Sequence, residues 1–186
     1  MIEAGHKRAL RKLLEHLQNS SADWAVTGSL GMALQGMDLP VHDIDIQTDK
    51  PGAYELEQRL ADYVVEPVTY TESERMRSHL GKLEIDGVQI EIIGSVQKLL
   101  PDGTWEPPVQ ASAHKIWVDL DGLAIPVLSL EYEYEAYSLM GRVEKAARIR
   151  KYRAAHKDCK HQQENNFCES SHSNHRNSPQ TGLSFR

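Results

Sequence analysis

The sequence predicts an α/β (α+β) domain, a mixed β-sheet with flanking helices and further helices towards its C-terminal end. Two observations carry this expectation. Early in the chain, short apolar runs alternate with segments of helical spacing, the order that builds strand–helix units. Later, Asp-Gly stands twice between alternating apolar and polar residues, the strongest short-range signal for a hairpin. A length of 186 residues suits one such domain with a short appendage.

Taken in order, Ala9, Leu10, Leu13, Leu14 and Leu17 share one face of residues 2–17, which reads as an amphipathic helix. Turn formers from Asn19 to Asp23 end it. Trp24 to Thr27 reads as a short buried strand that meets Gly28-Ser29, and Leu30, Ala33 and Leu34 then have helical spacing closed by Gly36. Val41 to Gln47 alternates and is expected to be a strand. Pro51-Gly52 opens a helix to about Tyr63, with proline in the favourable first turn. The run LGKLEIDGVQIEII alternates on both sides of Asp86-Gly87, and Ile116–Leu120 and Leu123–Val127 flank Asp121-Gly122. Ser129 can cap a helix carrying Leu130, Tyr134 and Tyr137 on one side. Gly141 interrupts that helix, and residues 142–153 continue as a basic-ended one.

Hydrophobic residues at 40% and charged residues at 26% are ordinary for a soluble globular chain. No apolar run reaches the length of a bilayer crossing, and MIEAGHKRALRKLLEHL mixes charge with leucine where a signal peptide has an apolar core. A cytoplasmic protein is therefore expected, not a membrane or secreted one. A net charge of −6 offers no global positive field for nucleic acid, although a local groove stays open. Arg75, Arg77, Lys82 and Lys98 would be the residues of such a rim, against their simpler reading as solvated surface charges. After Arg153 the composition shifts: only 7 of the 33 residues from Ala154 to Arg186 are hydrophobic, too few to offset the entropy of ordering them. This divides the chain into a domain over 1–153 and a tail over 154–186, expected to be disordered or foreign. Cys159, His161, Cys168, His172 and His175 are possible zinc ligands in the tail, but their spacing matches no common zinc pattern. Two cysteines are too few for a disulfide scaffold, which suits a reducing compartment.

The chemistry concentrates in AVTGSLGMALQGMDLPVHDIDIQTD. On a strand, Asp43 and Asp45 share one face and His42, Ile44 and Ile46 the other, with Cα atoms two residues apart separated by roughly 6.5–7 Å. Carboxylates this close can jointly hold divalent cations of the kind that clamp the oxygens of a phosphoryl transfer. Two surface aspartates on an edge strand are the simpler alternative. Gly28-Ser29 at the start of a helix supplies free backbone N–H groups beside a small hydroxyl, an arrangement that binds phosphate. In VQIEII, Glu91 stands on an otherwise buried strand, where an unpaired carboxylate is costly unless it binds metal or moves a proton. Glu84 and Asp86 compete with it, though the turn explains Asp86 better.

Gly28-Ser29, Asp43-Ile44-Asp45 and the later strand carboxylate Glu91 together resemble the nucleotidyltransferase superfamily, which includes polymerase-β-like and aminoglycoside or lincosamide nucleotidyltransferases. The resemblance covers roughly Trp24 to Val127, and SLEYEYEAYSLMGRVEKAARIR is similar to the closing helices of small bacterial nucleotidyltransferase-like proteins. It implies a polymerase-β-like fold in which Asp43 and Asp45 bind Mg²⁺, two ions in all, with Glu91 as the third carboxylate. It also implies that Gly28 and Ser29 hold the phosphates of a nucleoside triphosphate. In the antibiotic-modifying relatives the third acid can act as base on the acceptor hydroxyl. The expected activity is metal-dependent transfer of a nucleoside monophosphate to a hydroxyl, and the acidic body favours a cationic small molecule over RNA as acceptor. The alternative is a binding or regulatory module that kept the fold and lost turnover, such as a toxin–antitoxin partner.

Overall fold

A computed structural model describes residues 2–156. The chain divides into two units, Met1–Ile149 and Arg150–Arg186. Of the second, residues 150–156 are described and are helical. The candidate zinc ligands Cys159, His161, Cys168, His172 and His175 lie outside the described residues, as does the tail beyond 156.

In the first unit the elements run α1 (Ala4–His16), β1 (Trp24–Thr27), α2 (Gly28–Leu34), β2 (Ile44–Thr48), α3 (Lys50–Arg59), β3 (Val64–Glu72), β4 (Met76–Ile85), β5 (Val88–Lys98), β6 (Lys115–Leu120), β7 (Leu123–Leu128) and α4 (Leu130–Leu139). Residues 143–149 form a last helix, α5. The strands make one sheet in the order β3-β4-β5-β2-β1-β7-β6. The pairs β2/β5 and β1/β7 are parallel and the other four antiparallel, so the sheet is mixed as the sequence leads one to expect. Among the described residues no helix is long and apolar enough to cross a membrane.

Local chemistry explains most boundaries. Asp49 caps α3 by accepting from the Gly52 N–H at 2.7 Å, and Pro51 stands in the first turn, where its missing N–H costs nothing. Asp86-Gly87 and Asp121-Gly122 all have positive φ, the conformation a two-residue hairpin turn demands. Ser129 caps α4 by accepting from the Tyr132 N–H.

Four elements differ from expectation. Strand β2 begins at Ile44, leaving Val41 to Asp43 outside it, with His42 exposed and Asp43 in a bend. The reason is the neighbour: β1 ends at Thr27, opposite Asp45, where the chain turns into α2, so earlier residues have no ladder partner on that side. Strand β3 lacks an apolar alternation because it is an edge with both faces largely wet, and it tolerates Pro67 for the same reason. Strand β5 runs on past Ile93 to Lys98 through Ser95, whose positive φ accompanies a register shift against β4. On α4 the buried side chains are Tyr132, Glu133, Ala136 and Tyr137, while Leu130 and Tyr134 are only half-buried.

The larger core lies on one face of the sheet. There Leu10 and Leu13 of α1, Leu30 of α2 and Leu56 of α3 pack on Ile44, Ile46, Ile90 and Ile92. A smaller core joins Ala25, Val96 and Leu128 to Tyr132 and Ala136 of α4. Gly94 permits the close approach of α3 to β5, since a β-carbon there would lie 2.6 Å from the Ala53 β-carbon and 3.1 Å from the Asp49 carbonyl oxygen. Gly94→Ala is expected to cost about 1–3 kcal/mol through overpacking. Gly5→Ala, which meets only an ordinary contact at 3.7 Å in α1, should gain about 0.5–1 kcal/mol. Urea denaturation of both variants checks the contrast.

Candidate active site

Strand register assembles the site. With β2 between β1 and β5, Thr27 stands opposite Asp45 and Asp45 opposite Glu91, a single row across three strands on one face of the sheet. The neighbouring isoleucines on the other face, Ile44, Ile46, Ile90 and Ile92, are fully buried and fix these strands in place. Asp43 joins the row from the bend before β2. Ser29, Asp43, Asp45 and Glu91 all line one cleft of about 390 Å³. Met32, Met37 and Leu39 give it an apolar shelf, and Arg142, Lys145 and Arg148 bring positive charge to it.

The turn from β1 into α2 is held from two sides. Gly28 has φ +66°, and the Asp45 Oδ2 atom occupies the space a β-carbon would need, so glycine is required twice over. From the other side Glu133 of α4, 3% exposed, reaches the same turn. Its Oε1 accepts the Thr27 hydroxyl at 2.5 Å and the Gly28 N–H at 3.0 Å. The Gly28 N–H is thus already engaged, which corrects the expectation that the turn offers it free to a phosphate. The Ser29 hydroxyl differs: it lines the cleft, is buried, and has no hydrogen-bond partner among the described residues. A buried unpaired hydroxyl is costly, and an anionic oxygen in the cleft would satisfy it.

The electrostatics follow from burial first and crowding second. Burial, then the nearby charges of Asp43, Glu91 and Glu133, push the Asp45 carboxyl up to about 7, with Lys145 opposing. Burial also pushes Glu133 up to about 7, against the pull of Thr27, Gly28, Lys145 and Lys98. A carboxylate held this way favours a cation as its neighbour. Among the described residues no three His, Cys, Asp or Glu side chains converge into a ready-made metal cage. Mg²⁺ asks for less, since it keeps several waters and is bound through one or two carboxylates plus substrate phosphates. Asp43 and Asp45 fit that description, with Glu91 beside them.

The structure thus brings Gly28, Ser29, Asp43, Asp45 and Glu91 together and leaves their competitors elsewhere. Glu84 is exposed on β4, and Asp86 pairs with Lys12 at 2.6 Å in its turn. The four basic residues do not form a rim. Arg75 lies against Gly141, Arg77 stacks over Trp105, Lys82 pairs with Glu66, and Lys98 is buried against Glu106 at 2.5 Å and so is not a solvated charge. Sequence reasoning did not reach Glu133, Arg142, Lys145 or Arg148. The spacing of three between the last three was visible, but only the tertiary fold turns it towards the acids. Glu133 was hidden by the wrong choice of buried face on EYEYEAY.

A family model for aminoglycoside-2″-adenylyltransferase matches residues 9–159. The crystal structure of a candidate nucleotidyltransferase from Thermotoga maritima, TM1012, is 50% identical with a TM-score of 0.73, over 83% of this chain and 96% of that one. That of the lincosamide antibiotic adenylyltransferase LnuA, with lincomycin bound, is 17% identical with a TM-score of 0.51, over 77% of this chain and 96% of that one, a likeness of fold. No curated protein matches.

Two expectations follow from the buried acids. Both Asp45 and Glu133 hold a proton more tightly folded than unfolded, so their contribution is full below about pH 4 and is lost as pH rises through about 7. In EDTA the melting temperature should fall between pH 5 and 7.5, and Asp45→Asn should shrink that fall by removing one of the two groups. At Glu133, glutamine keeps an oxygen for Thr27 and Gly28 and should leave the melting temperature level or higher. Glu133→Ala strands both donors and should cost about 2–4 kcal/mol in urea denaturation.

Proposed function

Because the chain belongs to the aminoglycoside-2″-adenylyltransferase family, we propose that it transfers a nucleoside monophosphate from a nucleoside triphosphate to a hydroxyl-bearing acceptor in this cleft, with Mg²⁺ held by Asp43 and Asp45. The single observation that carries the reading is the row of carboxylates beside an unsatisfied serine hydroxyl, with Arg142, Lys145 and Arg148 lining the same cleft. Carboxylates alone would repel a triphosphate and cations alone would hold it without a place for metal. Both signs in one cleft suit a metal-bound polyphosphate.

The Ser29 hydroxyl donates to a phosphate oxygen, and Arg142, Lys145 and Arg148 neutralise the remaining charge of the triphosphate tail. Mg²⁺, one or two ions, when bound draws negative charge from the phosphate oxygens and lowers the pKa of the acceptor hydroxyl. Asp45, crowded by Asp43 and Glu91, loses its proton most readily when a cation is present, which couples metal affinity to pH. Glu91 stands next to Asp45 in the row, with a part both as metal ligand and as base for the acceptor proton. The acceptor oxygen forms a new bond to the α-phosphorus as the bond from that phosphorus to the bridging oxygen breaks. Pyrophosphate leaves with the electron pair, and the proton passes to Glu91 and then to solvent. The Met32, Met37 and Leu39 shelf offers an apolar surface to the base of the nucleotide.

Pyrophosphate release from ATP or GTP with Mg²⁺ and a panel of hydroxylated small molecules tests the reading. Asp45→Asn should reduce release by at least about a hundredfold without lowering the melting temperature. Release at the wild-type rate would remove Asp45 from the metal site. Titration of a nonhydrolysable triphosphate into Glu91→Gln separates its two parts. Unchanged binding with lost transfer marks a base alone, weakened binding with lost transfer marks a ligand as well, and no change in either excludes Glu91 from the chemistry.

A further inference from the structure

The two edges of the sheet are built differently. At one, β3 carries Glu66 and Pro67, and its register against β4 shifts twice, features that keep an edge from pairing with another strand. At the other, β6 has no proline and pairs with β7 without a shift, from Lys115 opposite Leu128 to Leu120 opposite Leu123. Its one lysine, Lys115, is already neutralised by Asp23 at 2.7 Å. Trp117 is 65% exposed and Ile116 42%, and Asp119 is exposed as well. Among the described residues no strand lies beyond β6.

The hairpin turn decides which backbone groups of β6 face outward. Leu120 and Leu123 flank the two-residue turn Asp121-Gly122 and so exchange hydrogen bonds with each other. Alternation then points the N–H and C=O groups of Val118 and Ile116 at β7, and the Ser129 N–H donating to the His114 carbonyl at 3.0 Å continues the series. Those of Lys115, Trp117 and Asp119 face the other way, to the open edge. Pro126 sits opposite Trp117, the kind of place where β6 asks β7 for no N–H.

We propose that this edge joins a second copy of the chain, with β6 antiparallel to the partner's β6 and Trp117 on the twofold axis. The phase of the outward groups and the charges choose that register. Lys115 then stands opposite the partner's Asp119 on both sides of the axis, and Trp117 beside the partner's Trp117. Each of the three facing pairs exchanges two hydrogen bonds. An axis at Ile116 or Val118 keeps the phase but leaves only two such pairs, with Lys115 or Asp119 opposite tryptophan. Opposite charges and paired aromatic rings are the cross-strand neighbours that stabilise an antiparallel ladder. The axis is perpendicular to the sheet, so both clefts lie on one face of a continuous sheet. The pairing is independent of what the cleft does.

Sedimentation velocity and amide hydrogen exchange of the full-length protein test this. Over about 10 to 500 µM the protein is expected to pass from monomer to dimer, the weak association that one strand pair supports. The amides of Trp117 and Asp119 should exchange at least about fivefold more slowly at the upper concentration, while those of Ile116 and Val118, already bonded to β7, should not change. Asp119→Lys sets lysine against lysine and should weaken the dimer at least about tenfold at low salt, a loss that shrinks at about 1 M NaCl. Trp117→Pro removes the central N–H, which β7 does not use, and should leave a monomer that still melts cooperatively. A protein that stays monomeric throughout the range, or a dimer that Asp119→Lys does not weaken, would overturn the proposal. So would protection of Trp117 and Asp119 that is the same at every concentration, since another segment of the same chain would then cover the edge.

Discussion

Everything at the cleft depends on one tight place, where the Asp45 carboxylate lies against the α-carbon of Gly28. The contact is possible because residue 28 has no side chain and a left-handed backbone, and because the β1/β2 register brings Thr27 level with Asp45. Glu133 grips the same turn from α4, so three segments far apart in sequence meet at one glycine. The arrangement couples Asp45, the proposed metal ligand, to the turn proposed to meet phosphate. A shift of either moves both, and no residue other than glycine leaves the pair intact.

The cleft also sets charge against charge. Its floor is acidic and comes from the sheet, and its cations come from the segment around α5. Burial, and after it the neighbouring acids, raise the proton affinity of Asp45. Lys145 offsets part of the rise, acting on both Asp45 and Glu133. The C-terminal helices are therefore more than a cover for the smaller core, because they carry the positive charge of an otherwise acidic cleft.

How much of this could be read from the sequence depends on the range of the interaction. The hairpins, the α3 start and the β1 strand were legible because Asp-Gly, a first-turn proline and a short apolar run act within a few residues. Four of the residues lining the candidate site were legible because Gly-Ser and Asp-x-Asp are local patterns, and Glu91 because it is an acid between the isoleucines of a buried strand. Strand β3 was not, since an edge strand with wet faces leaves no alternation to find. The start of β2 was not, since it is set by where a different strand ends. Nor was Glu133: a glutamate on a tyrosine-rich helix looks solvated until the fold supplies Thr27 and Gly28 as partners. The engaged Gly28 amide was missed for the same reason.

The parallel pairings of β2 with β5 and β1 with β7 have a consequence for how the molecule comes into being. Val26 pairs with Val127, and Asp45 with Glu91, so the chain must complete the β3–β4 excursion and the return of β7 before these strands have their neighbours. Contacts of such separation form late, because the entropy of closing the loops is lost before any pairing compensates it. The helices and the Asp-Gly hairpins are local and can appear early. The acids, which repel one another, are brought side by side only as the central strands zip together, when the isoleucines beneath them are buried in the same step. Hydrophobic burial on one face thus drives the assembly of like charges on the other, and a nascent chain that has not yet emerged through β7 has no cleft.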